Sequence, residues 1–465
     1  MSTKFISVDR NQRLLLPPDL RDWILPDNVV HFIIASVEEL PMTDFKVNQR
    51  GTGSAQYHPH MMLALLIYCY ANGRFASRRI EQATYDNISV RYLTADTHPD
   101  HDSIATFRRE NFDAVRKCFV RVLELAEELG LLKVGRVSVD GTTLKAHANK
   151  KRNVRYDRAT ELEKQLSVEV GALLEKAERA DAEDAPDGQS LPKELARHEN
   201  LRAKIVAGMR NMEKRARAKA EAERPEYERK VRERNDRKGS RKGCEIHPPV
   251  STPRPNDMDN LTDTDSRLMR HNIHSAYEQA YNGQATVDAD GSMLVLSAHV
   301  SQCASDGNEL VKNIEGIPAS LGRPHTALAD TGYLNEREVR ALEGNGEKPK
   351  MNVLVSCHAE EKLSRRKHDF RPAPKEEPAA PQTRSAFVLE MKKKMESPEN
   401  KAHYKKRKES VEPAFGTIKE WIGFRQFHLR GLEKVAGEWK LVTLAYNFRR
   451  LWKIIGNSYL QACPA

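Results

Sequence analysis

The sequence predicts an α/β chain: a mixed sheet with flanking helices, an all-α N-terminal part before it, and a helical, basic insertion within it. Three observations predict this. Short apolar or β-branched runs near residues 134–139, 280–300, 325–330 and 351–356 alternate with helical patterns. Helical periodicity fills Tyr57 to Leu132. From about Lys150 to Asn272 the composition leaves the globular range, and Lys193 to Gly243 alone holds 18 Lys or Arg against 9 Asp or Glu, a net of +9.

That segment matches nearly the whole formal charge of the 465-residue chain, +10, with a pI near 9.1. Such a balance suits a polyanionic partner. Charged residues make up 31% and hydrophobic residues 39%, so only part of the chain forms core, and the length allows two or three domains. The opening MSTKFISVDRNQ has no leader pattern, and the apolar stretch Met61 to Ala71 falls short of the roughly 18 to 20 residues of a membrane span. The expectation is a soluble intracellular chain that engages no membrane. Six scattered cysteines suggest neither a disulfide framework nor a zinc finger, and the pairs His58/His60, His98/His101 and His271/His274 lack partners at zinc-ligand spacing.

In chain order, Pro59 starts a helix through Ala71, Gly73 ends it, and FASRRIEQATYDN makes a second helix exposing Arg78 and Arg79. This is either a helix-turn-helix or a plain helical hairpin. Asp102 or Ser103 caps a long amphipathic helix whose stripe is Phe112, Val115, Phe119, Val122, Ala126 and Leu129, with Gly130 as its stop. The insertion reads as an antiparallel helical hairpin, either a solvated face or a DNA-tracking arm. RPNDMDNLTDTDSRLM reads as polar loop. A β-hairpin turning at DADG, a helix from Asp306 to Leu321, a strand, a helix from Asn335 to Glu343 and the strand MNVLVS follow. Pro372, Pro374, Pro378 and Pro381 mark a linker before the last helices.

Three acids stand out within this frame. Val134, Val137 and Val139 lead a strand that stops at Asp140 and Gly141, and PHTALADTGY ends a second strand at Asp330, with Gly332 as a turning residue. In KRKESVEPAFGTIKEWIGF, Pro413 places a helix start, so Glu412 is a first-turn residue favoured there as the anion. Gly416 and Lys419 follow on the same face, leaving room for a phosphate. Strands ending in Asp140 and Asp330 lie side by side if adjacent in the sheet, about 4.8 Å apart. Three hard oxygen ligands suit a two-magnesium site for in-line phosphoryl displacement. Among competing acids, Asp288 and Asp290 belong to the hairpin turn, Asp306 caps a helix, and Asp263 and Asp265 are solvated loop residues.

The chain resembles a DDE transposase of a bacterial insertion sequence over most of its length. The resemblance is carried by HPHMMLALLIYCYANGRFASRRIE, PDHDSIATFRR, VSVDGTTLKAHA, YNGQATVDADG, LADTGY and YKKRKESVEPAFGTIK, in family order. It implies an RNase H-like catalytic core with the first Asp on the first strand, the second after the fourth strand and the Glu on a later helix: Asp140, Asp330 and Glu412. The family's Tyr, Arg, Glu and Lys signature falls on Tyr404, Arg407, Glu412 and Lys419. Four residues separate Arg407 from Glu412 where three are often seen, and Lys408 takes the three-residue spacing.

The resemblance implies a transposase that hydrolyses the phosphodiester at terminal inverted repeats with Mg²⁺, or Mn²⁺ in its place, and transfers the freed 3′-hydroxyl to target DNA. Tyr404, Arg407, Lys408, Lys419, Arg78 and Arg79 are its candidate DNA contacts. Double-stranded DNA is the partner, with a homodimer expected on it, in a bacterial cytoplasm at the nucleoid. The alternatives are a catalytically inactive DNA-binding regulator and an RNase H-like structure-specific nuclease. The expected divisions are 1–132 helical and DNA-end binding, 133–149 first core strand, 150–272 insertion, 273–370 remaining core, 371–385 linker and 386–465 the helices carrying the Glu.

Overall fold

The computed structural model describes residues 19–47, 55–183, 191–236, 246–270, 274–344, 351–357 and 385–455. Nearly all of the proline-rich stretch expected at 371–385 lies outside them. Helices α1 (Val29–Glu38), α2 (Pro59–Ala71), α3 (Ser77–Asp86), α4 (Ile88–Leu93), α5 (His101–Glu110) and α6 (Phe112–Glu128) form the N-terminal part. Pro59 occupies the first turn of α2, where its missing N–H costs nothing. Gly73, at φ +74°, turns the chain out of that helix. The single helix expected from Asp102 or Ser103 is two. Asp100 caps α5 by accepting from the N–H groups of Asp102 and Ser103, and Asn111 breaks the run by donating to Phe107 O and accepting from Lys46 N. Phe112, Val115, Phe119, Val122 and Ala126 are buried as the stripe predicts, while Leu129 is exposed.

Strand β1 (Arg136–Lys145) is followed by β2 (Asn153–Arg155) and by the helical hairpin α7 (Tyr156–Glu183) and α8 (Leu191–Asp236). The hairpin holds a small core of its own, Ala159, Leu166, Ile205 and Met212. The stretch read as polar loop contains β3 (Met258–Asn260), which pairs with β2, and β4 (Arg267–Met269). Its acids are structural rather than solvated. Buried Asp259 pairs with Arg215 of α8 at 2.7 Å, buried Asp263 accepts from Tyr281 Oη at 2.9 Å, and Asp265 accepts from Leu432 N at 2.9 Å.

The remaining strands are β5 (Glu278–Asp288), β6 (Val295–Ser301), β7 (Thr326–Ala329) and β8 (Asn352–Val355). The order is β6–β5–β1–β7–β8, with β4 also on the outer edge of β5. β1 is antiparallel to β5 and parallel to β7, and β8 is parallel to β7. A mixed sheet of this order, its second strand reversed, is consistent with the RNase H-like core. The expected helix from Asp306 is shorter: α9 (Leu310–Glu315), then a 3₁₀ turn at Ala319–Leu321 beyond Pro318, whose ring cannot continue a helix. α10 (Glu336–Glu343) follows β7 with Asn335 as its cap.

The C-terminal helices are α11 (Ala386–Glu396), α12 (Pro398–Gly416) and α13 (Leu432–Ile455). α13 is buried over much of its surface because it lies between the sheet and the N-terminal helices. Trp439 is fully buried and donates from Nε1 to Gln284 O at 2.9 Å, and Phe448 meets Phe32 of α1 edge to face. One hydrophobic core therefore runs from α1 through α13 to the sheet.

Candidate active site

Asp140 stands in the middle of β1, which runs five residues past it. The strand end read at Asp140 and Gly141 is absent because Gly141, Thr142, Thr143, Leu144 and Lys145 stay paired, opposite Gln284 back to Ala280. Asp330 is where the sequence places it, one residue beyond β7, where it caps a 3₁₀ turn by accepting from Gly332 N at 2.9 Å. β1 and β7 are neighbours in parallel, Val137 opposite Ala327 and Ser138 opposite Leu328. Two residues further along each strand, Asp140 and Asp330 are level.

Glu412 is not in a first turn. α12 begins at Pro398, with Ser397 as its N-cap, so Pro413 lies inside the helix and Glu412 precedes it in the last turns. The helix-dipole argument for its ionisation therefore fails. Pro413 has no N–H for the helical ladder, and the chain passes into a π-helical turn, Thr417–Trp421, that carries Lys419. α12 is docked beside both aspartates. Ser410 Oγ donates to Ser138 Oγ at 2.8 Å, two residues before Asp140, and Tyr404 Oη donates to Ala329 O at 3.2 Å, one residue before Asp330.

That docking drives Arg407 into the acids. Its guanidinium lies 3.0 Å from Asp140 Oδ2, 3.9 Å from Asp330 Oδ2 and 3.6 Å from Glu412 Oε1. The side chain is only 9% exposed, against 20% for Asp140, 42% for Asp330 and 53% for Glu412. Arg407 thus faces inward, where the sequence suggested an outward DNA contact, and its buried Nε has no partner. Burial pushes the Asp140 carboxyl up to about 7; Arg407 works against this, and Asp330 and Asp306 add to it. Burial also raises Asp330, again against Arg407. The Arg407 guanidinium is pulled down by burial, but the acids, Asp140 first, more than offset it and hold it charged.

The donors are carboxylate oxygens, the set a hard divalent cation takes. Among the described residues no group of three acids, histidines or cysteines already stands at metal-ligand spacing. A guanidinium instead occupies the point on which the three carboxylates converge. Three carboxylates gathered about one cationic centre supply the hard oxygen donors that Mg²⁺ or Mn²⁺ takes, and a bound cation would favour their ionised form.

The other expected contacts fall into two groups. Lys419 is half-buried; burial and Arg425 pull its ammonium down, and Asp140 is the leading influence the other way. Lys408 is exposed on α12, and Arg78 and Arg79 are exposed on α3. Sequence reasoning passed over two features. Asp306 does not cap α9, whose N-cap is Glu309; its Oδ1 accepts from Asn282 Nδ2 at 2.7 Å and Gln284 Nε2 at 2.6 Å. And β1 leads from Asp140 to a groove of about 550 Å³ lined by Lys145, His147, Lys150, Arg152 and Arg430. The signal for that groove was the cluster KAHANKKR, which straddles the boundary drawn at 149/150 between the first core strand and the insertion.

Two family models match. Residues 356–452 match a transposase DDE domain, which takes in Tyr404, Arg407, Lys408, Glu412 and Lys419. Residues 18–110 match a transposase domain, DUF772, which takes in Arg78 and Arg79. Asp140 and Asp330 lie outside both matched segments. No curated protein and no solved structure matches the chain.

Proposed function

We propose that this chain, a transposase with a DDE domain and an N-terminal DUF772 transposase domain, cleaves DNA at the terminal inverted repeats of an insertion sequence and transfers the freed strands to target DNA, with Asp140, Asp330 and Glu412 as its catalytic acids. The observation that carries this is the convergence of three carboxylates, from β1, the end of β7 and α12, on the single guanidinium of Arg407.

Asp140, Asp330 and Glu412 would hold Mg²⁺, with Mn²⁺ an acceptable substitute. When bound, such ions activate the attacking oxygen and stabilise the leaving one in an in-line displacement. The chain's own contribution is position. Strand pairing sets the two aspartates level, and the Ser410–Ser138 and Tyr404–Ala329 bonds fix the helix that brings Glu412. Arg407 holds the acids together. Lys408, Lys419, Arg78, Arg79 and the cations at the end of β1 supply phosphate contacts, which position a duplex without reading its sequence. Two element ends must be joined, so two copies of the chain act together on DNA.

The test is cleavage of a duplex bearing the element's end repeats. Asp140→Asn, Asp330→Asn and Glu412→Gln are each expected to abolish Mg²⁺-dependent nicking and strand transfer while retaining binding of the duplex. Full cleavage by Asp140→Asn would overturn the assignment. A wild-type chain that binds end DNA but nicks none with Mg²⁺ or Mn²⁺ would show the inactive regulator instead.

A further inference from the structure

Two motifs in this chain carry glycines next to the acids, and neither glycine serves the backbone. Gly141 and Gly332 both lie outside the positive-φ region that favours glycine. What they provide is space. A methyl group on Gly141 would come 2.6 Å from Asp306 Oδ1 and 2.8 Å from Asn282 Oδ1, and would strike the Gln284 amide outright. A methyl group on Gly332 would lie 3.1 Å from Asp330 Oδ1 and 3.4 Å from Asp306 Oδ2. Gly141 thus leaves room for the Gln284 amide and the Asp306 carboxylate, and Gly332, two residues after Asp330, lies against both Asp330 and Asp306.

That carboxylate is held on one side only. Oδ1 takes both amide donors, from Asn282 and Gln284 of β5. Gln284 is itself fixed: its Oε1 accepts from Asn313 Nδ2 at 2.8 Å and from the hydroxyl of buried Tyr333. The motifs YNGQ and DTGY, which the acid triad leaves without a task, therefore meet in a bracket that orients Asp306. Its second oxygen lies on the Gly332 side, toward the turn that Asp330 caps. An acid added to an acid cluster is a cost unless a cation offsets it. Arg407, nine-tenths buried among the three triad acids with an unpartnered Nε, shows that the site draws in positive charge.

We propose that Asp306 is a fourth carboxylate of the site, held by Asn282 and Gln284 to bind the divalent cation together with Asp140 and Asp330. The proposal rests on the reading of Asp140, Asp330 and Glu412 as the reaction's acids.

The experiment is Mn²⁺ binding to the purified full chain, by calorimetry or electron paramagnetic resonance, without DNA. Asp306→Asn keeps an oxygen that accepts from both amides but removes the charge, and Asp140→Asn serves as the control. The expected result is Mn²⁺ affinity weakened about tenfold or more in both variants, with the urea midpoint of Asp306→Asn in EDTA close to wild type. Wild-type affinity in Asp306→Asn, with loss in Asp140→Asn, would overturn the fourth ligand and leave the triad standing. Wild-type affinity in both would overturn the triad as well. Gly141→Ala, which displaces Asp306 without altering any acid, is expected to weaken Mn²⁺ binding too; unchanged affinity there counts against the proposal.

Discussion

Arg407 Nη2 lies 3.0 Å from Asp140 Oδ2, so an arginine of α12 closes the acid cluster that β1 opens. Breaking a buried ion pair by removing one partner costs on the order of 3–5 kcal/mol, because the other charge is left uncompensated. Arg407→Met is therefore expected to lower unfolding stability in EDTA by several kcal/mol. Millimolar Mn²⁺ is expected to recover part of that loss, since a bound cation offsets the same acids. Urea denaturation with and without Mn²⁺ measures both; a loss that Mn²⁺ leaves untouched would show that Arg407 acts elsewhere.

A buried polar chain joins the N-terminal helices to α13. Arg108 donates to Tyr70 Oη at 2.8 Å, Tyr70 donates to Glu438 Oε1 at 3.1 Å, and Glu438 Oε2 accepts from His428 N and Leu429 N, each at 3.0 Å. Tyr70 and Glu438 have no solvent exposure. Tyr70→Phe leaves both neighbours one partner short in the interior and is expected to destabilise by about 1–3 kcal/mol. A melting temperature equal to wild type would contradict this.

Gly437 sits within α13 where the ring of Phe112 presses against it. Alanine would improve helix propensity by roughly 1 kcal/mol. Its methyl, however, would fall about 2.5 Å from Phe112 Cγ and 2.6 Å from Cε1. Overpacking of this kind costs about 1–3 kcal/mol. The clash is expected to win, and Gly437→Ala to unfold at lower urea than wild type.

Lys440 lays its ammonium 4.1 Å from the centre of the Phe119 ring. Burial, then Arg116, pushes its pKa down to about 8 from the ordinary 10.5. Between those values the unfolded chain binds more protons than the folded one, so this group makes stability rise with pH from about 8 to 10.5 and imposes its full penalty below 8. Lys440→Met is expected to be more stable than wild type at pH 7, with the advantage shrinking as pH rises through that window. Urea midpoints at pH 7, 8, 9 and 10 decide it; a constant difference would refute the shift.

The acid set was legible in part because each acid sits in a local pattern. The TALAD run of β7 ends at Asp330 as read, since the following turn is written in DTGY. β1 was read as stopping at Asp140 and Gly141 because its run of valines ends there, whereas Gly141 stays in the ladder, where a side chain would strike Gln284 and crowd Asp306. Glu412 was misplaced because proline was taken as a helix start, while Pro398 had already started α12 and Pro413 is carried within it. Asp306 looked like a cap because one-dimensional context shows only the apolar run after it. Its partners, Asn282 and Gln284, lie more than twenty residues upstream.

The sequence by itself determined the α/β class, the helical N-terminal part and the basic helical hairpin, and picked out Asp140, Asp330 and Glu412 as candidate acids, because periodicity, charge and short motifs are local properties of the chain. Tertiary structure alone decided that β1 and β7 are neighbours, that Arg407 turns inward, that Asp263 and Asp265 are structural, and that Asp306 is bracketed by Asn282 and Gln284. Each of these depends on which distant backbone lies alongside. Between Asp140 and Asp330, 190 positions apart, only strand pairing brings that backbone together.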